Sequence, residues 1–262
     1  MVGQKQLLSQ LDKYTIDTFP RSVLISGDEG AGKHLLVEYL ASNILKLPVV
    51  DITDNLSLEV IENIYLSVNP SIYLINLNNI TDKTQNILLK LLEEPLSHSF
   101  IILIANSGIN ILSTILNRCI KIYMDKYSKE ELESIAGKPL DDITLSILNT
   151  PGKLKYLEHS SLENMLDVCH KIVSKLNTIR FDNLLKVADM INYSDTYDKF
   201  NITIFLDVLS YTLNTDYIKN NNEYSKKCYA ILVDHKKRLA DTRINKELFM
   251  YQLLTKLYKE VR

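Results

Sequence analysis

The chain has 262 residues, 46% of them hydrophobic, which is enough for one large core or two to three small ones. No apolar run approaches the roughly 18–20 residues of a membrane span, and Met1–Gln6 opens no signal-like segment, so a cytoplasmic protein is expected. Thirty basic against 32 acidic residues leave a net charge of −2. A protein that grips DNA alone usually carries a basic excess, so any nucleic-acid contact must be local or shared with partners.

Three cysteines, Cys119, Cys169 and Cys228, are widely spaced and odd in number. They form neither a disulfide framework nor a Cys-x-x-Cys metal site, and read as buried thiols.

Apolar residues at positions 7, 8, 11 and 14 mark one helical face within residues 5–18. Phe19-Pro20-Arg21 breaks it, and Ser22-Val23-Leu24-Ile25-Ser26 reads as a short buried strand. That strand runs into Gly27-Asp28-Glu29-Gly30-Ala31-Gly32-Lys33-His34, and a helical pattern follows from Leu35 to Ala41. Strand, glycine-rich turn and helix is the setting of a phosphate-binding loop. Glycines let backbone N–H groups close on phosphate oxygens, the lysine reaches the outer phosphates, and the helix N-terminus adds partial positive charge. Gly27, Gly30, Gly32, Lys33 and His34 are therefore the residues expected at a bound ATP or ADP. The last position departs from the pattern. A Ser or Thr hydroxyl there binds Mg²⁺, whereas the His34 imidazole suits this hard ion poorly.

Val49–Ile52 and Ile72–Ile75 read as further strands, the latter a continuous apolar run of the kind a parallel sheet covers on both faces. Ser57 precedes a helical pattern as its capping residue. In a P-loop ATPase the strand at 72–75 ends in an Asp that holds Mg²⁺, followed by a Glu that activates water. Here Asn76 and Leu77 stand in those places, and Asp82 lies six residues on, beyond a turn. With His34, three positions that hydrolysis needs are altered, so a catalytically silent site with no metal ligand is expected. A helix is predicted over Thr84–Glu94, ended by Pro95, then a strand over Phe100–Ala105 closing on Asn106. Ile111–Cys119 reads as a short helix and turn carrying Arg118, which by itself is most simply a surface ion-pair residue.

The order Asn86-x-Leu88-Leu89-Lys90-x-Leu92-Glu93-Glu94-Pro95, Phe100-Ile101-Ile102-Leu103 and Leu112-x-Thr114-Ile115-x-x-Arg118-Cys119 closely resembles the clamp-loader branch of the AAA+ proteins. That branch includes the bacterial DNA polymerase III gamma/tau and delta-prime subunits and the small subunits of replication factor C. The likeness extends over about residues 20–122. It implies that Asn106 is a sensor at the nucleotide and that Asn117-Arg118-Cys119 stands for Ser-Arg-Cys, whose arginine reaches into a neighbouring subunit's ATP site. Asn149-Thr150-Pro151-Gly152-Lys153 resembles the Gly-Ser-Pro-Gly-Arg turn of delta-prime lids, which would put Lys153 near the nucleotide. Arg243–Leu254 resembles the last helix of the collar. Bacterial gamma and delta-prime subunits commonly carry a four-cysteine zinc module; residues 42–56 contain no cysteine, so no zinc is expected.

From Ser128 onward only helices are expected, opened by a capping box of Ser128 and Glu131. Turn-like breaks fall at Asn192–Asp195 and Asn220–Asn222. Tyr and Leu at helical spacing read as core and subunit interface, and His235-Lys236-Lys237-Arg238 as a solvated helix face rather than a DNA contact. The fold class implied is an α/β P-loop AAA+ domain with a parallel sheet (residues 1–124), then a helical lid (125–180) and a helical collar (181–262). The function implied is that of a delta-prime-like clamp-loader subunit that binds ATP or ADP without efficient hydrolysis and lends Arg118 to a neighbour. Its partners would be the other ring subunits, the sliding clamp and primer–template DNA, with no membrane. Two rivals remain, an active clamp-loader ATPase of a phage or mobile element and a structural ring subunit with a vestigial loop.

Overall fold

Five short strands build the first part of the computed structural model, which describes residues 3–94, 96, 98–158, 162–176, 178, 180–193, 202–240 and 245–260. The strands are β1 (Ser22–Gly27), β2 (Val49–Asp51), β3 (Ile72–Asn76), β4 (Phe100–Asn106) and β5 (Ile120–Tyr123). All pair in parallel in the order β2-β3-β4-β1-β5. Successive side chains of a strand point to opposite faces, and both faces here are covered. Val23, Ile25, Leu74, Phe100, Ile102 and Ile104 pack with Leu7, Leu11, Leu36 and Leu40. Leu24, Tyr73, Ile75, Ile101 and Leu103 pack on the other side with Ile61, Ile64, Leu88, Leu91 and Ile115. The continuous apolar runs in the sequence follow from that two-sided burial.

The helices of the first layer are α1 (Lys5–Leu11) and α2 (Lys33–Tyr39), the latter continued by a π-helical turn over Leu40–Leu45. Those of the second are α3 (Leu58–Leu66), α4 (Asp82–Glu93) and α5 (Ser113–Leu116). The helical face predicted within residues 5–18 is realised only as far as Leu11. Beyond it the Thr15 N–H donates to Thr18 Oγ1 at 2.9 Å, and that turn brings Tyr14 edge-on to Phe19. Ser57 and Thr81 cap α3 and α4 by accepting the N–H groups of Val60 and Thr84. Pro95, expected to end α4, lies outside the described residues.

β5 is the element that the periodicity did not announce. Its four residues alternate apolar and polar, Ile120 and Tyr123 are exposed, and it completes one edge of the sheet beside β1. Both edge strands are short, which limits the unpaired backbone groups they present.

The chain divides into two compact units, residues 1–135 with 150–152, and residues 136–149 with 153–262. In the first, α6 (Lys129–Ala136) opens with the expected capping box: the Glu131 N–H donates to Ser128 Oγ at 3.2 Å and the Ser128 N–H to Glu131 Oε2 at 2.9 Å. The second contains α7 (Asp142–Ile147), α9 (Leu162–Lys175), α10 (Phe181–Tyr193), α11 (Ile202–Asn220), α12 (Glu223–Lys237) and α13 (Lys246–Glu260); the short α8 (Pro151–Leu154) straddles the division. α11 buries Ile204, Phe205, Leu206, Val208, Leu209 and Leu213, and the helix packs against α7, α9 and α12. The Asn220–Asn222 break is where α11 stops and Asn222 caps α12. His235, read with its basic neighbours as part of a solvated face, is instead buried, because it lies on the side of α12 that packs against Phe249 of α13. Ser194 and Asp195 of the other predicted break, and Arg243 and Ile244 of the collar-like stretch, lie outside the described residues.

Candidate functional site

In a parallel sheet, ligands gather beyond the carboxyl ends of the strands where the strand order reverses. Here that point is β1, which lies between β4 and β5. Its last residue, Gly27, pairs in register with Asn106 at the end of β4, and the Gly27 carbonyl accepts the Ser107 N–H at 3.0 Å. The sheet itself therefore brings Asn106 beside the start of the glycine-rich loop.

Gly30 and Gly32 have φ of +78° and +93°, a region that a Cβ disfavours. Lys33 opens α2 and is only 6% exposed. Its Nζ donates to the carbonyls of Gly27 at 2.9 Å and Asp28 at 2.8 Å. Burial pulls its pKa below the ordinary lysine value, against the opposing pull of Asp28 and Glu29. His34, one residue on, is exposed on α2.

Three residues distant in sequence support the loop. Tyr127 donates its hydroxyl to the Ala31 carbonyl at 2.8 Å, Thr150 donates its hydroxyl to Glu29 O at 2.9 Å, and the Gly152 N–H donates to Gly30 O at 2.9 Å. Sequence reasoning singled out none of the three as site residues. Thr150 and Gly152 fall within the motif at 149–153, but Tyr127 carried no signal.

The positions that would serve Mg²⁺ and water activation are occupied otherwise. Asn76 Oδ1 accepts the Asn78 N–H at 3.1 Å, capping a 3₁₀ turn over Leu77–Asn79, while the Asn76 N–H donates to Thr53 Oγ1 at 2.9 Å. Asn78 Oδ1 in turn accepts the Asn106 N–H at 2.6 Å. Leu77 is 2% exposed and belongs to the core under α4. Asp82 lies in the exposed first turn of that helix. The loop's donors fit a phosphate group; an amide committed to its own backbone, a buried leucine and an imidazole do not fit Mg²⁺. Among the described residues no group of three or more His, Cys, Asp or Glu could hold a metal ion.

Arg118 follows α5 and belongs to a separate constellation. Its Nη2 lies 2.6 Å from Glu93 Oε1, and its Nη1 donates to the Thr114 carbonyl at 2.9 Å. Lys153 is in the helical unit, where its Nζ sits 2.8 Å from Asp207 Oδ2; Lys236 pairs with the other oxygen of the same carboxylate. Of the predicted residues, then, the structure brings together Gly27, Gly30, Gly32, Lys33 and Asn106, and gives Arg118 and Lys153 partners of their own.

Residues 49–128 match the family model described as DNA polymerase III, delta subunit. No curated protein matches the chain in sequence. Among solved structures it is similar to a DNA polymerase III gamma subunit-related protein of Thermotoga maritima, at 17% identity and a TM-score of 0.46 over 98% of this chain and 99% of that one. It is also similar to a RuvB variant of Thermotoga maritima, at 17% identity and a TM-score of 0.47 over 84% of this chain and 86% of that one. No described helix is long and apolar enough to cross a membrane. The family likeness thus lies in residues 49–128, the segment that carries β3, β4 and the Arg118 turn, and it is to the DNA polymerase III delta-subunit family.

Proposed function

We propose that the chain is a delta-prime-like subunit of a clamp-loader ring. It binds ATP or ADP at the Gly27–Lys33 loop without efficient hydrolysis, and it presents Arg118 to the nucleotide of a neighbouring, hydrolysing subunit. The observation that carries this reading is a contrast. The end of β3 offers a self-capped Asn76 and a buried Leu77 where a metal ligand and a base are needed, while Arg118 keeps a guanidinium at the surface. A planar guanidinium that stabilises charge on a transferring phosphoryl group is worth about 10³–10⁵ in rate.

In this reading residues 125–180 form the lid and 181–262 the collar through which the subunit joins its ring. The ring's other subunits, the sliding clamp and primer–template DNA are its partners. The near-neutral net charge of −2 fits DNA contact through the assembly.

The test is ATP turnover measured twice. The isolated chain with Mg²⁺, primed DNA and clamp is expected to show none. The ring containing Arg118→Ala is expected to lose most of its clamp-dependent turnover. Full turnover by that variant ring would overturn the finger role, and Mg²⁺-dependent turnover by the isolated chain, abolished by Lys33→Ala, would identify a motor subunit. A second reading, a ring subunit whose loop is purely structural, draws on the engagement of the Lys33 ammonium by two carbonyls of its own loop. Failure to bind ADP, with normal assembly after Lys33→Ala, would favour it.

A further inference from the structure

A peptide unit is planar and trans, so its C=O and N–H point in opposite directions. Gripping a carbonyl from one side therefore aims the next residue's N–H to the other. Three consecutive carbonyls of the glycine-rich loop, those of Glu29, Gly30 and Ala31, are gripped in this way by Thr150, Gly152 and Tyr127. The N–H groups so turned are those of Gly30, Ala31 and Gly32. The Ala31 N–H closes a turn onto Asp28 O at 3.2 Å. The orientation of the flanking Gly30 and Gly32 amides is set by the outside grip.

The grip is built rather than incidental. Thr150 is 2% exposed, so the hydroxyl end of its bond to the Glu29 carbonyl is sheltered from competing water. Gly152 lies so near the loop that an added Cβ would stand 2.6 Å from Gly30 Cα and 3.0 Å from Gly30 O, both backbone atoms. No larger residue fits without moving the loop. Thr150–Gly152 also belongs to the first unit although the residues on either side of it belong to the second. The chain enters the first unit for three residues, and the first and last of them, Thr150 and Gly152, meet the loop.

We propose that Thr150 and Tyr127 are positioning residues for a phosphate-bearing ligand. Together with the closely packed Gly152, they act as a strap that holds the Gly30 and Gly32 amides in the orientation an anion requires. The strap rests on the reading of the loop as a nucleotide site, but its effect on loop conformation does not depend on that reading.

The experiment uses the full chain with Thr150→Val, Thr150→Ser, Tyr127→Phe and Gly152→Ala. It reads hydrogen–deuterium exchange of residues 28–33 and ADP binding by calorimetry. Val keeps the shape of Thr and removes one hydrogen bond, for which about a fivefold faster loop exchange and a similar loss of ADP affinity are expected. Ser restores both; Phe at 127 behaves like Val at 150. Exchange in α11 and α12 stays at the wild-type rate. Gly152→Ala is expected to have the largest effect, and if it fails to fold, the two hydroxyl deletions still decide. Wild-type exchange at residues 28–33 in both deletions overturns the strap, as does an increase spread evenly over the whole chain. Faster loop exchange in a protein that binds no ADP at all would uphold the strap and overturn the nucleotide reading of the loop.

Discussion

Arg118 and Glu93 form an ion pair, 2.6 Å between Nη2 and Oε1, that joins the turn after α5 to the last residue of α4. Both side chains are partly exposed, 34% and 51%, so the pair contributes only about 0–1 kcal/mol to folding. Its consequence is geometric: with Nη1 also bonded to Thr114 O, the guanidinium has a defined orientation at the surface.

Glu93→Gln should therefore leave the melting temperature of the chain nearly unchanged, because surface substitutions of this kind alter stability by about 0.5 kcal/mol or less. On the reading proposed above, in which Arg118 serves a neighbouring subunit, it should lower clamp-dependent ATP turnover of the assembled ring, though less than Arg118→Ala does. Arg118→Lys should not restore turnover, since an ammonium lacks the planar fork. Steady-state hydrolysis by reconstituted rings, alongside thermal melting of the free variants, checks both parts. Equal turnover for Glu93→Gln and wild type would mean that Glu93 does not position Arg118 for the proposed role.

Leu77 stands where a catalytic base would, yet it is a core residue. Leu77→Ala is expected to destabilise the first unit by about 2–4 kcal/mol through the cavity it leaves. Leu77→Glu, the change that would restore a base, should be worse, because it buries an unpaired carboxylate. Denaturant unfolding measures both. A Leu77→Glu variant as stable as wild type would mean that this turn can open to solvent.

Burial of His235 is expected to make the second unit sensitive to acid. It is 1% exposed on α12, with its ring 4.7 Å from that of Phe249 on α13. Burial lowers its pKa below the ordinary value of 6.5, helped by the charges of Lys256 and Arg238 and opposed by the Phe249 backbone and Asp234. The unfolded chain thus takes up a proton at higher pH than the folded one. Stability is complete above about pH 6.5 and falls as pH drops through the unfolded pKa towards the folded one. His235→Leu should flatten the dependence between about pH 7 and 5, read as the change of melting temperature with pH. An unchanged slope in the variant would assign acid sensitivity to other groups.

All three cysteines are buried and free, and burial raises each thiol pKa: Cys119 to about 12, Cys228 to about 11, and Cys169 further still. Thiolate is the reactive form, so native protein at about pH 8 should label slowly with a thiol-specific reagent. In denaturant all three thiols should react. A count of labelled sites by intact mass, before and after unfolding, checks this, and rapid native labelling at any of them would contradict its burial.

The sequence alone determined the parts of this protein that repeat within a short window. Apolar runs at 22–27, 72–76 and 100–106 specify strands buried on both faces, Ser57 and Ser128 announce helices, and the glycine spacing at 27–32 specifies a loop with positive φ. Each signal lies within about a dozen residues, because helix and strand periodicity and capping are local properties. The family likeness of 49–128 was likewise carried by contiguous motifs. Tertiary structure alone decided which distant groups meet. Tyr127 and Thr150 reach the loop across 96 and 121 residues, and Arg118 reaches Glu93 across 25. β5 became a strand only because β1 offered it an edge, and Lys153 pairs with Asp207 because folding of the helical unit places that carboxylate beside it. These hydrogen bonds and ion pairs form when the chain returns on itself, and no local pattern of residue types encodes where it returns.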